Sequence, residues 1–220
     1  MGTDFATGVA SGVKEQLKAL LTSSPACSLK GSFETKACVA ILLRGASLVD
    51  LEVAFIRRAT SATDRWSGQI AFPGGKREAE DIDDVATAIR ETQEEVGIAL
   101  ERAEHIAAID DIQARRRGEL LPFFIHPVVF YIHREVIIQL NPQEAADFFW
   151  VRLDALLDPK LQTTYEWTED LTATQMPAIQ IHGDPPLWGL TYFIVLGLLS
   201  RLRPHEPPPQ SEHGKQRKFP

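Results

Sequence analysis

Glu91, Glu94 and Glu95 crowd one short stretch of this chain, which begins 16 residues after the Phe72-Pro73-Gly74-Gly75 turn. Carboxylates that close repel one another unless something cationic lies among them. Carboxylate oxygens, a backbone carbonyl and waters form the shell that a hard divalent ion takes, Mg²⁺ above all. Arg90 stands four residues before Glu94, the helical spacing at which it can pair with that carboxylate and orient it. An ordinary solvated acidic face accounts for the glutamates taken alone, because Glu is a good helix former. The glycine turn ahead of them shifts the balance toward a metal.

The elements that must carry these groups are legible. At about 100° per residue, a helix over Asp84–Val96 gathers Val85, Ala88, Ile89, Thr92 and Val96 into a stripe that can dock on a sheet. The glutamates fall on a separate arc. Ahead of it, Gly68 to Gly75 reads as a short apolar strand ending abruptly. Adjacent glycines let the backbone turn sharply and expose a carbonyl where a side chain would block access.

The spacing of Gly75, Arg90, Glu91, Glu94, Glu95, Gly97 and Ile98 resembles the Nudix hydrolase signature, with Thr92 at its first bulky aliphatic position. Asp81 stands where the signature has a first Glu, and the Gly75-to-Arg90 gap is one residue longer than the pattern. That longer loop and the Gly68-Gln69-Ile70-Ala71-Phe72-Pro73-Gly74-Gly75 run are similar to the coenzyme A diphosphatase branch. The resemblance implies an α/β fold, a Nudix-type α/β/α sandwich with a mixed β-sheet. It also implies Mg²⁺-dependent hydrolysis of a diphosphate linkage, with Mn²⁺ able to substitute. Glu91, Glu94, Glu95 and the Gly74 carbonyl would hold the metal, Arg90 would position the glutamates, and the general base stays unassigned. Arg58 and Gln69 match the branch and are the expected substrate-binding residues. Thr63, Asp64 and Trp66 depart from its Met, Arg and His; trading an arginine for an aspartate removes a phosphate contact and adds repulsion. Those departures weigh against coenzyme A, but the branch resemblance still implies coenzyme A or an acyl-coenzyme A as the leading substrate. Nucleotide sugars, NADH and dinucleoside polyphosphates come next, followed by a catalytically silent nucleotide-binding module.

Other residues carry weaker signals. Glu144 sits in a turn and could serve as a distant ligand or base, although a solvated loop carboxylate is the commoner outcome. Arg57, and the basic run Arg115-Arg116-Arg117 at a hairpin tip, could meet phosphates but more often such groups are simply exposed. Trp66 could stack on a base or pack on the domain. His126 and His133 bracket an apolar run and read as structural.

The chain has 220 residues, 44% of them hydrophobic, and a net charge of -7. That is enough for one domain with extensions. The acidic balance argues against a general nucleic-acid or membrane-surface binder; the partner that the resemblance implies is a small diphosphate compound, for a monomer or homodimer. Cys27 and Cys38 offer neither a bridge framework nor metal spacing, so a reducing compartment is expected. There is no signal-peptide pattern, and Lys218-Phe219-Pro220 is not the peroxisomal tripeptide. Cytosol is the default, with mitochondrial matrix or peroxisome as alternatives.

The periodicity divides the chain into a helical extension over 1–30, a Nudix-like domain over 31–203 and a tail over 204–220. The tail holds five prolines in seventeen residues and is expected to be disordered. Predicted elements are a helix over 8–22, strands over Thr35–Leu43 and Leu51–Ile56, and strands near Ala103–Ile112 and Phe123–Ile132. An Asn141-Pro142 turn follows, then a strand over Phe148–Val151, a short helix over 151–157, a last strand over Pro177–Ile181 and a helix over Leu187–Leu202.

Overall fold

The computed structural model of this protein describes residues 3–29, 35–61, 66–116, 119–169 and 172–203. Its centre is an eight-stranded mixed sheet. Strand β1 (Thr35–Arg44) pairs in parallel with β7 (Glu119–Tyr131) over Thr35–Leu43, and antiparallel with β2 (Glu52–Arg58) at its far end. Along its first half β1 is flanked instead by the short β4 (Gly74–Lys76), with Val39 opposite Gly74 and Cys38 opposite Gly75. Strands β3 (Ile70–Ala71) and β8 (Ala145–Arg152) pair with β2, while β5 (His105–Ala108) and β6 (Ile112–Arg116) pair with β7. β1 is covered on both faces, and its run of Ala, Val, Ile and Leu is what a central strand with no solvent side requires.

Alternation along β1 separates two cores. Val39, Ile41 and Leu43 face a layer containing Val13, Leu17 and Leu21 of α1 (Thr3–Leu21) and Ile194, Val195 and Leu198 of α3 (Gly189–Leu202). Cys38, Ala40 and Leu42 face the other way, onto Ala88 and Val96 of α2 (Asp84–Val96). The expected sandwich is present: one helix on one face, two on the other. Val85 and Ile89 are only partly buried, so the docking stripe of α2 narrows to Ala88, Thr92 and Val96, joined by Thr87. Thr92 tolerates burial because its hydroxyl donates to the Ala88 carbonyl at 2.7 Å.

Some expectations need correcting. The Ala103–Ile112 strand is in fact a 3-10 turn (Arg102–Glu104) followed by β5, a break, and β6. The helix expected over 151–157 shrinks to a 3-10 turn at Ala155–Leu157, because β8 continues to Arg152. The largest omission is a second, three-stranded sheet: β9 (Gln162–Glu169), β10 (Thr172–Ile179) and β11 (Leu187–Trp188). The tail over 204–220, Arg117 and the side chain of Val9 lie outside the described residues.

Two arginines knit the ends of the chain to the sandwich. Arg201 on α3 is 8% exposed and donates to the carbonyls of Leu21, Ser24 and Pro25 and to Asp110 Oδ1. Arg57, at the end of β2, donates to the carbonyls of Gly68, His182, Asp184 and Pro185. Arg57 is therefore consumed by backbone, not held ready for a phosphate. Its four acceptors tie the 182–185 loop to the strand that leads into Arg58.

Candidate active site

Helix α2 begins where Asp83 accepts the Ala86 amide at 2.8 Å and ends where the Gly97 amide donates to the Gln93 carbonyl. Between these caps the three glutamates experience different surroundings. Glu95 is 3% exposed and its Oε2 accepts the Gly74 amide at 2.8 Å. Glu91 is partly buried, with Oε1 3.0 Å from Arg90 Nη2. Glu94 is exposed, and Arg90 Nη1 donates to it at 2.9 Å. The sequence treats the three as one acidic face; the fold grades them from buried to solvent.

The glycine pair is demanded by this packing. A Cβ on Gly75 would stand 2.4 Å from the Glu91 carboxyl carbon. Gly74 has φ +149°, and a Cβ there would come within 2.4 Å of the Cys38 carbonyl oxygen. Only glycine lets the strand pass between β1 and the glutamates. Gly74 shows its amide to Glu95 here, whereas the sequence reading assigned a role to its carbonyl.

Arg90 organises the outer side. Its guanidinium donates to Asp81 through Nε and Nη2, both at 3.1 Å, to the Lys76 carbonyl at 3.0 Å, and to Glu94. Asp81 also accepts the Thr87 hydroxyl and the Glu78 amide, each at 2.9 Å. These bonds, that from Arg90 foremost, hold its pKa down at about 2. The shorter Asp therefore fills the place of the expected Glu, with the longer loop bringing it to Arg90.

On the inner side burial outweighs the neighbouring arginines. Burial pushes Glu95 up to about 8 despite the Gly74 amide and the charge of Arg58, with Glu91 and Glu144 adding to the rise. Glu91 is raised as well, by burial first and then by Glu94 and Glu144, against the pull of Arg90. Glu144, exposed after the Asn141-Pro142 turn, thus belongs to the cluster by charge; only its place beside the bulge at Arg57/Arg58 reveals that. The Ala59 amide donates to the Glu144 carbonyl at 2.8 Å, and the Arg58 amide to the Gln69 carbonyl at 3.0 Å, so Arg58, Gln69 and Glu144 meet at one corner.

Among the described residues no three His, Cys, Asp or Glu side chains are drawn tightly enough together to grip an ion as they stand. The donor chemistry nevertheless fits a hard divalent cation. Two desolvated carboxylates lie against a backbone made of glycine, with a third carboxylate at the rim.

The remaining expectations separate cleanly. His126 donates or accepts at Asp111 Oδ1 (2.6 Å), faces Asp84 at 3.7 Å, and is structural. His133 is exposed beside the Tyr131 ring. Cys38 is buried with its thiol pushed up to about 12, and Cys27 is an exposed free thiol. Arg115 and Arg116 are exposed at the end of the β6–β7 hairpin. Trp66 is 47% exposed and stacks on Phe123, with centroids 6.5 Å apart. Among the described residues no helix is long and apolar enough to cross a membrane.

Comparison with known proteins agrees with this geometry. Residues 35–172 match the NUDIX domain model, and the chain belongs to the Nudix family. It is 31% identical over 144 residues to the peroxisomal coenzyme A diphosphatase NUDT7 of Mus musculus, covering 63% of this chain and 55% of that one. It is 30% identical over 178 residues to the peroxisomal coenzyme A diphosphatase ndx-8 of Caenorhabditis elegans, covering 79% and 73%. An uncharacterised Schizosaccharomyces pombe protein is 38% identical over 114 residues, 50% of this chain and 35% of its own. The chain thus spans about a third to three quarters of the length of these relatives.

Proposed function

We propose that this chain is a metal-dependent diphosphatase that hydrolyses the diphosphate linkage of coenzyme A or of an acyl-coenzyme A. One observation carries the reading: the buried Glu95 and half-buried Glu91 lie together behind a glycine turn, where burial and neighbouring carboxylates outweigh the pull of Arg58 and Arg90. Such a pair is costly to a fold and useful to a site that takes its cation, and a polyanionic substrate, from solution. The names of the mouse and nematode relatives support the substrate class.

Mg²⁺ is the proposed ion, Mn²⁺ its substitute, with Glu91 and Glu95 as principal holders and Glu94 and the Gly74 carbonyl as further oxygen donors. When bound, it supplies charge against the phosphate oxygens and lowers the pKa of a bound water. The chain's own residues do the rest. Arg90, fixed by Asp81 and the Lys76 carbonyl, positions Glu91 and Glu94 without touching the reaction. Arg58 and Gln69 line the corner where the substrate phosphates would be met. Glu144 is an exposed carboxylate whose charge both glutamates feel, and the general base stays unassigned.

Asp64 and Trp66, which depart from the coenzyme A pattern, favour a second reading in which the substrate is another nucleoside diphosphate derivative. A panel of coenzyme A, acyl-coenzyme A, ADP-ribose, NADH and dinucleoside polyphosphates, incubated with and without Mg²⁺, separates the two. Cleavage of coenzyme A only when the ion is added is the expected result. Cleavage of the other compounds alone transfers the assignment to them, and cleavage of none makes the domain a nucleotide-binding module. The cytosol is the proposed compartment; the relatives' peroxisomal names support an organelle as the alternative, and imaging of the tagged full chain decides between them.

A further inference from the structure

The second sheet is open on one side. Its order is β11, β10, β9, and among the described residues no strand pairs with the outer edge of β9. Gln162–Glu169 pairs with Thr172–Ile179 without a register shift, whereas three ladders of the central sheet are interrupted by one. Exposed edges are ordinarily guarded by Lys, Pro, a bulge or a covering element, because their N–H and C=O groups template another strand. The run Gln162-Thr163-Thr164-Tyr165-Glu166-Trp167-Thr168 has no Lys, no Pro and no bulge, and its Thr, Tyr and Trp favour extended backbone.

Pro177 settles which backbone groups point outward. It stands opposite Thr164 and has no N–H, so this pair cannot be one that exchanges two hydrogen bonds. The pairs on either side, Thr163 with Ala178 and Tyr165 with Met176, are then the hydrogen-bonded ones. The Gln180 amide, donating to the Leu161 carbonyl at 2.8 Å, has the same phase. Alternation therefore turns the N–H and C=O of Gln162, Thr164, Glu166 and Thr168 away from β10. The side chains of Thr164, Glu166 and Thr168 are exposed on one face. On the other, the rings of Tyr165 and Trp167 lie against Trp188, with centroids 4.6 and 5.0 Å from it. Those contacts hold the strand in shape beforehand, which reduces the ordering cost of pairing it.

We propose that β9 is a docking edge for a second copy of this chain, the two strands pairing antiparallel about a two-fold axis at Tyr165. The charge pattern of the edge selects a copy of itself in this register. Each Thr164 opposes the partner's Glu166, each Gln162 opposes the partner's Thr168, and no carboxylate among them faces another. A slide that brings Glu166 onto the axis sets like charges opposite each other, and a slide the other way shortens the overlap. The result is one six-stranded sheet across the dyad, with the aromatic face continuous through the two Tyr165 rings. β11, at the far edge, is only Leu187–Trp188, so association closes at two chains.

The test does not depend on the proposed activity. Sedimentation of the full chain should give the mass of two chains at about 100 µM. Thr164→Pro removes an outward amide and leaves the β10 ladder whole, so it should give one chain with unchanged circular dichroism. Thr164→Lys, facing the partner's Glu166 twice per dimer, should tighten the dimer about threefold or more, and Thr164→Glu should loosen it by about as much. Adding Glu166→Lys to Thr164→Glu should recover it. These charge variants decide the matter where Thr164→Pro does not fold. One chain at every concentration, a dimer that Thr164→Pro leaves intact, or equal affinities of the Thr164→Lys and Thr164→Glu proteins overturns the proposal. So does a mass beyond two chains.

Discussion

Arg201 and Glu95 are both charged and both nearly sealed from water, yet their neighbours could hardly differ more. Arg201 meets three carbonyls and a carboxylate, which take two bonds from each of its Nη atoms. Glu95 accepts the Gly74 amide and feels the charge of Arg58, yet its burial and two nearby carboxylates weigh against its charged form. A charge whose bonding capacity is filled holds parts of a fold together. One left wanting is tolerated for what it later binds.

Substitutions at the two positions should therefore fail in opposite ways. The largest effect is expected from Glu95→Gln, which should lower the Mg²⁺-dependent hydrolysis rate by about two orders of magnitude or more while the melting temperature of the metal-free protein at pH 7 holds or rises. Normal turnover in that variant would remove the acidic cluster from the chemistry. Arg201→Met should do the reverse, costing about 2–3 kcal/mol in denaturant unfolding with little change in kcat per folded molecule. A stable but inactive Arg201→Met protein would erase the distinction drawn here.

The contrast sharpens with pH. Glu95 is raised from its ordinary 4.5 to about 8 in the folded chain, so between those values the native state binds the extra proton. Stability from this group is full below about pH 4.5 and declines as pH rises toward 8. Metal-free thermal melts should show that decline, added Mg²⁺ should flatten it, and Glu95→Gln should abolish it; an unchanged slope in the variant contradicts the assignment. The smallest effect belongs to Asp81, whose depressed pKa stabilises above about pH 3.8 and is lost as pH falls to about 2. Asp81→Asn should cost about 1 kcal/mol at pH 7, with a several-fold loss of turnover through Arg90. Loss of activity as deep as that of Glu95→Gln would make Asp81 more than a brace.

Much of this was legible in the residues. The period of α2, its flanking glycines and the continuous apolar run of β1 each have a single physical meaning, and the sandwich follows from them. The glutamates were visible as a group because helical spacing brings them together. Their inequality was not, since depth depends on how Gly74 and Gly75 cross β1. Arg57 and Arg58 are indistinguishable as neighbours in the chain; the bulge sends one to the 182–185 loop and the other toward Glu95. Strand β9 escaped notice because Thr, Gln and Glu interrupt its aromatic residues, and Tyr165 and Trp167 find their partner, Trp188, 23 and 21 residues away. Glu144 joined the cluster through tertiary folding alone.

The Arg57 guanidinium sets a limit on where the polypeptide can be shortened. The family match ends at residue 172, but three of the carbonyls that cradle this cation belong to His182, Asp184 and Pro185, and α3 beyond them seals one side of the central sheet. Trimming to the matched stretch would strand a positive group under the strand that presents Arg58 and lay bare the leucines and valines behind it. The segment that similarity outlines is thus smaller than the unit that can stand alone.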